Sequence, residues 1–343
     1  MLTLPIGCLI FANPFFVCYL TSKSNIFDMT TLPTFTDIQK AHDRIRPYIH
    51  HTPVLSSKSI NQIIGAELFF KCENLQKVGA FKFRGACNSV FSLSDDEAKN
   101  GVCTHSSGNH AAALALAARM RGIPAYIVMP VNAPEIKKIA VAGYGAQITF
   151  CEPTLAARES TLKQVAEQTG ATEIHPYNYF NVICGQGTAA KELIEEISAL
   201  DIVMAPVGGG GLLSGTAIST KALLPNALVI AAEPAGADDA FRSFYSKTLQ
   251  PSVAPKTIAD GLLTSLGSLT FPIVINNVDQ IVTVSEENII VAMRMIWERM
   301  KIIIEPSSAV PLAAILENKV DVKGKKVGII LSGGNVDLGK LPF

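Results

Sequence analysis

Residues 202–223 read IVMAPVGGGGLLSGTAISTKAL, which is an apolar run, four consecutive glycines and a helix-forming stretch. Because glycine has no Cβ, the backbone N–H groups of Gly208, Gly209, Gly210 and Gly211 can converge, and the dipole of the following helix favours an anion. The segment therefore predicts a phosphate-binding site, and the alternative is a tight strand–helix turn. It has neither the G-x-G-x-x-G fingerprint of dinucleotide-binding proteins nor the G-K-[ST] of a P-loop.

On both sides of this segment, short β-branched runs alternate with helical stretches. The predicted strands are Glu67–Lys71, Ala125–Met129, Gln147–Cys151, Ile202–Pro206, Val229–Ala232 and Lys326–Leu331. The predicted helices are Asn109–Arg121, Ala133–Ala142, Leu155–Thr169, Gly187–Ile197, Leu212–Leu223, Glu286–Met300 and Ser307–Leu316. This alternation predicts an α/β protein with a mostly parallel sheet covered by helices on both faces. In such sheets ligands bind beyond the carboxyl ends of the strands.

The composition excludes several classes of protein. Lys plus Arg and Asp plus Glu both number 29 in the 343 residues, and this balance disfavours a nucleic-acid-binding protein. Hydrophobic residues make up 48% of the chain and charged residues 17%, so it can bury a large core and is not disordered. Seven cysteines without a C-x-x-C pair favour a reduced, cytoplasmic protein without disulfides or zinc.

The first residues differ from the rest of the chain. Residues 1–22, MLTLPIGCLIFANPFFVCYLTS, contain no charged side chain, and Met29 is a candidate start of the functional protein. A signal peptide and a membrane anchor are the alternatives, but the basic n-region is missing and Pro5, Asn13 and Pro14 interrupt the apolar run. We expect residues 1–28 to be an extension outside the fold, with a membrane role only if they are retained.

A lysine stands in an unusual setting at residues 78–86, VGAFKFRGA. The amine of Lys82 is a nucleophile only when it is deprotonated, and burial or a nearby cation lowers the pKa of a lysine. Alone this is a weak signal, since most lysines are solvated surface groups. Together with a phosphate site it suggests a Schiff base to pyridoxal phosphate.

Two further motifs lie at predicted strand ends or helix starts. Residues 105–110, HSSGNH, open a helix, and their free N–H groups and hydroxyls could hold a carboxylate. An ordinary Ser/Asn helix cap is the alternative. Residues 331–335, LSGGN, could form a simple turn or place a hydroxyl against a ring nitrogen.

These four motifs, in this order and spacing, resemble the fold-type II pyridoxal phosphate enzymes, and most closely the serine racemases and the serine, threonine and 3-hydroxyaspartate dehydratases. The resemblance covers about residue 34 to Asp337. It implies a large cofactor-binding domain from residues 29–100 and 179–343, a small domain from residues 101–178, twisted mostly parallel sheets and a homodimer.

The resemblance also implies roles for individual residues. Lys82 would bind the cofactor, Phe81 would flank its ring, and Asn109 would hydrogen-bond its phenolic oxygen. Ser332 would face the pyridine nitrogen. The phosphate would lie on Gly208 to Gly211 and the Leu212 amide. The residues implied for the substrate are Ser106, Ser107, Asn109, His110 and Arg158.

A divalent cation and a nucleotide are the other implied ligands. Residues 232–239, AEPAGADD, resemble a cation site in which Glu233 and Asp239 offer carboxylates and Ala237 a carbonyl. All donors are oxygens, so Mg²⁺ or Ca²⁺ is expected rather than zinc. The alternative is an acidic helix start. ATP activation is questionable, because Ala112 replaces a glutamine that is common in the family, although Lys301 and Glu305 resemble family positions.

The expected reaction follows from two residues. A neutral Ser332 cannot keep the pyridine nitrogen protonated, which suits β-elimination better than transamination. Ser107 could act as a second acid opposite Lys82, as racemisation requires. We therefore expect a serine racemase that also converts serine to pyruvate and threonine to 2-oxobutanoate, with release of ammonia. The alternatives are a 3-hydroxyaspartate dehydratase, a strict L-threonine ammonia-lyase, a β-replacement synthase and a non-catalytic binding protein.

Overall fold

Ten strands form two separate sheets in the computed structural model, which describes residues 32–106 and 108–343. The strands are β1 Val54–Leu55, β2 Glu67–Cys72, β3 Val102–His105, β4 Ala125–Pro130, β5 Gln147–Cys151, β6 Thr172–Glu173, β7 Ile202–Pro206, β8 Leu228–Pro234, β9 Gln280–Val284 and β10 Lys326–Leu331. The larger sheet has the order β1-β2-β10-β7-β8-β9, and the smaller sheet has the order β5-β4-β3-β6.

The strands are parallel throughout except for the pair β1 and β2. β10 lies between β2 and β7, so Gly328 is paired with both Phe69 and Val203. The carboxyl ends of β7 and β10 therefore meet at one edge of the larger sheet. The segments after these ends are the glycine loop, residues 208–211, and the LSGGN motif.

Thirteen α-helices are described, and they are α1 Phe35–Ile45, α2 Lys58–Ile64, α3 Lys82–Ser92, α4 Asp95–Ala98, α5 Asn109–Arg121, α6 Glu135–Gly143, α7 Leu155–Thr169, α8 Phe180–Glu196, α9 Gly211–Leu223, α10 Asp239–Ser246, α11 Thr270–Asn277, α12 Glu286–Met300 and α13 Pro306–Leu316. The core of the larger sheet is apolar on both faces: Met204 and Ile329 belong to one buried cluster, and Val203 and Ile330 to another. Strands buried on both faces explain the continuous apolar runs in the sequence.

The predicted fold class is confirmed: all six predicted strands and all seven predicted helices are present. Five of these helices, Asn109–Arg121, Leu155–Thr169, Leu212–Leu223, Glu286–Met300 and Ser307–Leu316, agree with the observed bounds to within one residue. α8 begins at Phe180, well before the predicted Gly187. Gly185 disfavours a helix in the sequence pattern, but in the structure it allows α8 to pack closely on α3. A Cβ on Gly185 would lie 2.5 Å from the Arg84 carbonyl oxygen of α3. Sequence patterns missed four of the described strands, which are β1, β3, β6 and β9.

The four strands of the smaller sheet all lie between residues 102 and 173. The boundaries at 101–178 stay a prediction, and the expected extension at 1–28 lies outside the described residues. Within the described part, none of the helices has the length and apolar character needed to cross a membrane. The cysteines of the same part, Cys72, Cys87, Cys103, Cys151 and Cys184, are free and buried.

Candidate active site

The lysine segment and the LSGGN motif lie side by side at the carboxyl end of β10. Phe81 N donates to the Ser332 carbonyl at 3.0 Å, and Gly334 N donates to the Gly79 carbonyl at 2.9 Å. Ala80 and Gly333 form an antiparallel bridge between these bonds. The backbone before Lys82 is thereby fixed against the end of the larger sheet.

Lys82 is the first residue of α3. Its Nζ donates a hydrogen bond to the Pro176 carbonyl at 2.8 Å and lies 5.2 Å from the centre of the Phe81 ring. Burial lowers the pKa of Lys82 to about 8, and the Glu305 carboxylate partly opposes this shift. A fraction of Lys82 is therefore neutral and nucleophilic near neutral pH.

The glycine loop is buried and joins β7 to α9. Gly210, with φ +84°, precedes the helix in a left-handed conformation that favours glycine. A Cβ on Gly209 would collide with the Tyr177 ring. Among the described residues, no protein group accepts a hydrogen bond from the N–H groups of Gly208 to Gly211. Buried N–H groups without partners at a helix start form a site for an anion.

Ser332 follows β10 and is 2% exposed. Its Oγ lies 3.1 Å from the Ser308 Oγ at the start of α13, and Ser308 Oγ in turn accepts from Gly333 N at 2.7 Å. The Ser332 side chain therefore offers a neutral hydroxyl held in place by a second neutral hydroxyl.

Asn109 is held by two polar neighbours that are distant in sequence. Its Nδ2 donates to both carboxylate oxygens of Glu305 at 3.1 Å, and its Oδ1 accepts from Asn335 Nδ2 at 2.9 Å. Glu305 is 4% exposed, and burial, together with the charge of Asp260, raises its pKa to about 7. Sequence reasoning had connected Glu305 only with a nucleotide, whereas the structure brings it to Asn109 and, through its charge, to Lys82.

The HSSGNH motif lies at the end of the smaller sheet. Ser106 N donates to the Val128 carbonyl at 3.1 Å, and Ser106 Oγ accepts from Gly108 N at 3.3 Å. His110 is 2% exposed, with its Nε2 3.2 Å from the Ile174 carbonyl. Burial holds the pKa of His110 well below its ordinary value, so this ring is neutral. Ser107 lies outside the described residues.

Arg158 belongs to α7, on the side of the smaller sheet, and its Nε lies 3.4 Å from the Thr154 carbonyl. Burial and the positive charge of Arg158 lower the pKa of His105, the residue that precedes Ser106. The structure therefore brings the charge of Arg158 close to the start of the HSSGNH motif.

The segment His175–Asn178 was missed by sequence reasoning, although it contacts two of the predicted motifs. His175 Nδ1 accepts from Tyr177 N at 3.3 Å and from Asn178 N at 3.0 Å, which folds the segment into a turn. The Pro176 carbonyl accepts from Lys82, and the Tyr177 ring packs on the glycine loop. The available signal was the His-Pro-Tyr-Asn run between the predicted helices Leu155–Thr169 and Gly187–Ile197, and its composition is that of an ordinary turn.

The three residues predicted to bind a cation lie where β8 leads into α10: Glu233 is in β8, Ala237 is in the turn that follows, and Asp239 is the first residue of α10. Glu233 is fully buried and accepts from the N–H groups of Ala240 at 3.0 Å and Phe241 at 2.8 Å. Asp239 is fully buried too, and neither carboxylate oxygen has a partner among the described residues; Ala237 is 4% exposed. Burial raises the pKa of Glu233 to about 9 and that of Asp239 to about 6.

No group of three or more His, Cys, Asp and Glu side chains that could hold a metal occurs in residues 32–106 and 108–343. The predicted cation site has only two such side chains, Glu233 and Asp239, and its third donor is the Ala237 backbone carbonyl.

A cavity adjoins Asn109, and Ala112, Lys137 and Tyr144 are among its lining residues. At its margin, Lys137 Nζ pairs with Asp260 Oδ2 at 2.5 Å, which connects α6 to the segment between α10 and α11. Lys301 ends α12 with φ +60° and is exposed.

Known proteins share this architecture along nearly all of its length. A family model described as pyridoxal-phosphate dependent enzyme matches residues 45–333. The serine racemase of Dictyostelium discoideum is 56% identical over 312 residues, 90% of this chain and 96% of that protein. The β-hydroxyaspartate dehydratase of Paracoccus denitrificans is 53% identical, over 91% of this chain and 99% of that protein.

Among solved structures, a threonine deaminase from T.th. is 42% identical with a TM-score of 0.85, covering 89% of this chain and 99% of that one. The family match and the shared architecture agree with the lysine, the glycine loop and the paired sheets. The chain therefore belongs to the pyridoxal-phosphate-dependent enzymes of fold type II.

Proposed function

We propose that this enzyme racemises serine and also eliminates water from serine and threonine. The observation that carries the proposal is the buried Lys82 amine, with its pKa lowered to about 8, between the Ser332 strand end and the segment that packs on the glycine loop. Relatives at 56% and 53% identity are named for serine racemisation and for dehydration of a hydroxy amino acid.

The residues present fit pyridoxal phosphate. The buried N–H groups of Gly208 to Gly211 have no acceptor within the described chain, and they precede a helix whose dipole attracts an anion. In the proposal these groups and the Leu212 amide hold the phosphate, Lys82 bonds to the aldehyde, and Phe81 flanks the ring. Asn109 would face the phenolic oxygen and Ser332 the pyridine nitrogen.

When bound, the cofactor supplies an electron sink that stabilises negative charge on the substrate Cα. Lys82 would remove the α-proton from one face as general base. The hydroxyl of Ser107 would return a proton from the opposite face, which inverts the configuration and gives D-serine from L-serine. Ser106, Ser107, Asn109 and His110 would hold the substrate carboxylate, and Arg158 would lie on the substrate's side of the cleft.

Elimination uses the same first step. After Cα loses its proton, the Cβ–O bond breaks, and the hydroxyl group takes up one proton and leaves as water. Hydrolysis of the remaining enamine releases ammonia, so serine gives pyruvate and threonine gives 2-oxobutanoate. The neutral surroundings of Ser332 favour this outcome over transamination, because they do not keep the pyridine nitrogen protonated.

Ser107→Ala is the sharpest test of this proposal. We expect racemisation and elimination from D-serine to fall about 100-fold or more, as for loss of a general acid, while elimination from L-serine persists. Ser106→Ala is the neighbouring control, and it should weaken binding of both enantiomers alike. An equal loss of all rates in Ser107→Ala would make Ser107 a binding residue and would contradict its role as second acid.

A 3-hydroxyaspartate dehydratase is the second candidate, favoured by the 53% identity to a β-hydroxyaspartate dehydratase. Threonine deaminase activity is favoured by the similarity to the T.th. threonine deaminase structure. Purified enzyme incubated with L-serine, D-serine, L-threonine and 3-hydroxyaspartate would rank these substrates by keto-acid release and chiral analysis. A β-replacement synthase would release little ammonia without a second nucleophile.

A divalent cation and a nucleotide belong to the proposal as well. The unpartnered buried carboxylate of Asp239, with Glu233 and the Ala237 carbonyl, supports a Mg²⁺ or Ca²⁺ site. ATP would be an effector rather than a substrate, and Ala112, in the cavity beside Asn109, removes one polar group from any connection to the active site. A homodimer and the small domain at residues 101–178 complete the proposed architecture.

A further inference from the structure

A fully buried ionic network lies directly behind the cofactor lysine. Arg84 is two residues after Lys82 in the first turn of α3, and it is 0% exposed. Its guanidinium bonds to both oxygens of Glu73, at 2.7 and 2.9 Å, and to both oxygens of Glu192, at 2.8 and 2.7 Å. Its remaining N–H bonds to Thr188 Oγ1 at 3.1 Å, so all of its donors are used.

Further buried groups complete the network. Lys71 Nζ donates to Glu192 at 2.7 Å and to the Thr52 carbonyl at 2.7 Å, and Thr52 Oγ1 donates to Glu73 at 2.5 Å. Arg84 and Lys71 carry two positive charges, and Glu73 and Glu192 carry two negative charges. These four charges balance, and His42 Nε2 lies 3.4 Å from Glu192 Oε1 at the edge of the network. The network joins β2, the turn after it, α3 and α8.

Burial would lower the pKa of Arg84, but the Glu73 and Glu192 carboxylates outweigh burial and raise it. The opposite holds for Glu192: burial raises its pKa, but hydrogen bonds from His42 and Arg84 outweigh burial and lower it. Both groups therefore keep their charge over the whole working range of pH. Such a network is a costly way to obtain stability, since apolar side chains of similar volume often stabilise equally well. What the paired bonds do fix is the direction and distance between the elements that they join.

That geometry concerns the first turn of α3. The residue before this helix, Phe81, provides no side-chain cap, and residues two apart on a helix face different sides. The turn is held on one side by the Phe81–Ser332 backbone bond. On the other side it is held by Arg84 and by Gly85, whose N donates to Gln186 Oε1 of α8 at 3.2 Å.

We infer that Arg84 is a positioning residue, which holds the backbone of Lys82 at a fixed distance from the Ser332 strand end and the glycine loop. The inference rests on the proposed role of Lys82 and goes beyond it, because every donor of the Arg84 guanidinium is already bonded to a protein group. A planar guanidinium that bonds two carboxylates at once fixes both direction and distance, which a lysine cannot do.

The test compares Arg84→Lys with Ile296→Ala in the cofactor-loaded enzyme. Arg84→Lys keeps the charge and loses the paired bonds, whereas Ile296, a fully buried residue of α12, is remote from α3 and its loss only destabilises the core. We expect Arg84→Lys to lower kcat about 10- to 100-fold with little change in KM, as for a displaced catalytic group. The acidic limb of its pH–rate profile should move to higher pH, because a less buried Lys82 regains its ordinary pKa. Ile296→Ala should lower Tm with kcat and the pH profile retained.

Thr188→Val is the milder variant if Arg84→Lys does not fold, since it removes a single partner of the guanidinium. Thr188→Val should lower kcat several-fold and move the acidic limb of the pH–rate profile to higher pH, as in Arg84→Lys. Wild-type kcat and pH profile in folded Arg84→Lys, or in Thr188→Val, would overturn the inference, and so would losses that match Ile296→Ala at equal loss of Tm. Lys82→Ala distinguishes failure of the proposed function from failure of this inference. Activity that survives in Lys82→Ala would contradict the function of Lys82. An inactive Lys82→Ala together with a fully active Arg84→Lys would contradict only the role of Arg84.

Discussion

At the scale of single residues, the chemistry depends on how burial changes the charge of Lys82 and Glu305. Burial lowers the pKa of Lys82 to about 8 and raises that of Glu305 to about 7. The sequence identified Lys82, because its motif occurs together with the glycine loop and the two further motifs. It did not identify the contact between Glu305 and Asn109, which are 196 residues apart and meet only through the fold. Arg84 was visible as a residue of the same motif, but its partners Glu73 and Glu192 lie in other elements.

The rate of α-proton removal should depend on pH through Lys82. Only the neutral amine accepts a proton, so activity is present above the pKa of Lys82 and is lost as the pH falls below about 8. The measurement is kcat for L-serine between about pH 6 and pH 10, because kcat reports the substrate complex, in which the Lys82 amine is free of the cofactor aldehyde. A profile that stays flat across this range would contradict the role of Lys82 as general base.

Glu305→Gln should shift that acidic limb to lower pH. The Glu305 carboxylate raises the pKa of Lys82, so replacing it by a neutral amide of the same shape should lower the pKa further. Glu287→Gln, which removes an exposed carboxylate from α12, is the control and should leave the limb in place. A shift of the acidic limb to higher pH in Glu305→Gln would contradict the conclusion that the Glu305 carboxylate raises the pKa of Lys82.

At the scale of elements, the strand β7, the glycine loop and the helix α9 were predictable because they are contiguous in sequence. The strong strand–glycine–helix pattern needs no distant residue to be recognised. The early start of α8 was not predictable, since Gly185 and Gly187 disfavour a helix locally and are tolerated only because α3 and α9 approach closely there. The turn His175–Asn178 gains its importance only from packing on the loop.

Gly209→Ala should weaken cofactor binding. The added Cβ would collide with the Tyr177 ring, so the loop or the ring must move and the N–H groups would no longer converge. We expect the Kd for pyridoxal phosphate to rise about 10-fold or more, as for loss of one or two hydrogen bonds to a charged group. The measurement is a titration of the visible absorbance of bound cofactor.

Gly143→Ala is the matched control for this titration. Gly143 ends α6, and a Cβ there meets nothing within 4 Å. An unchanged Kd in both variants would show that the glycine loop does not hold the phosphate.

At the scale of the whole molecule, a mostly parallel α/β architecture follows from the alternation of strands and helices, and the fold class was therefore predictable. The division into two sheets was not visible in that pattern, since β3 and β6 are too short to stand out. The residues predicted to hold a cation extend from the end of β8 to the first residue of α10. Two buried acids at this point should make the stability of the molecule depend on the cation.

Mg²⁺ should raise the Tm of the enzyme, because a ligand that binds only the folded state stabilises it by ~2.7 kcal/mol at about 100 times its Kd. Asp239→Asn, which neutralises the unpartnered buried carboxylate, should abolish this increase. Asp238→Asn is the control, since Asp238 is paired with Arg242 at 2.8 Å and should leave the Mg²⁺ effect intact. Equal Mg²⁺ effects on Tm in wild type and Asp239→Asn would exclude this site.

The reaction itself is tested most directly by incubating the cofactor-loaded enzyme with L-serine in deuterium oxide and analysing the products by chiral separation and mass spectrometry. Removal of the α-proton by Lys82 and return of a solvent-exchanged proton from the other face predict D-serine with deuterium at Cα, together with pyruvate and ammonia. Formation of neither D-serine nor pyruvate, or of D-serine that retains its original α-hydrogen, would contradict the proposed function.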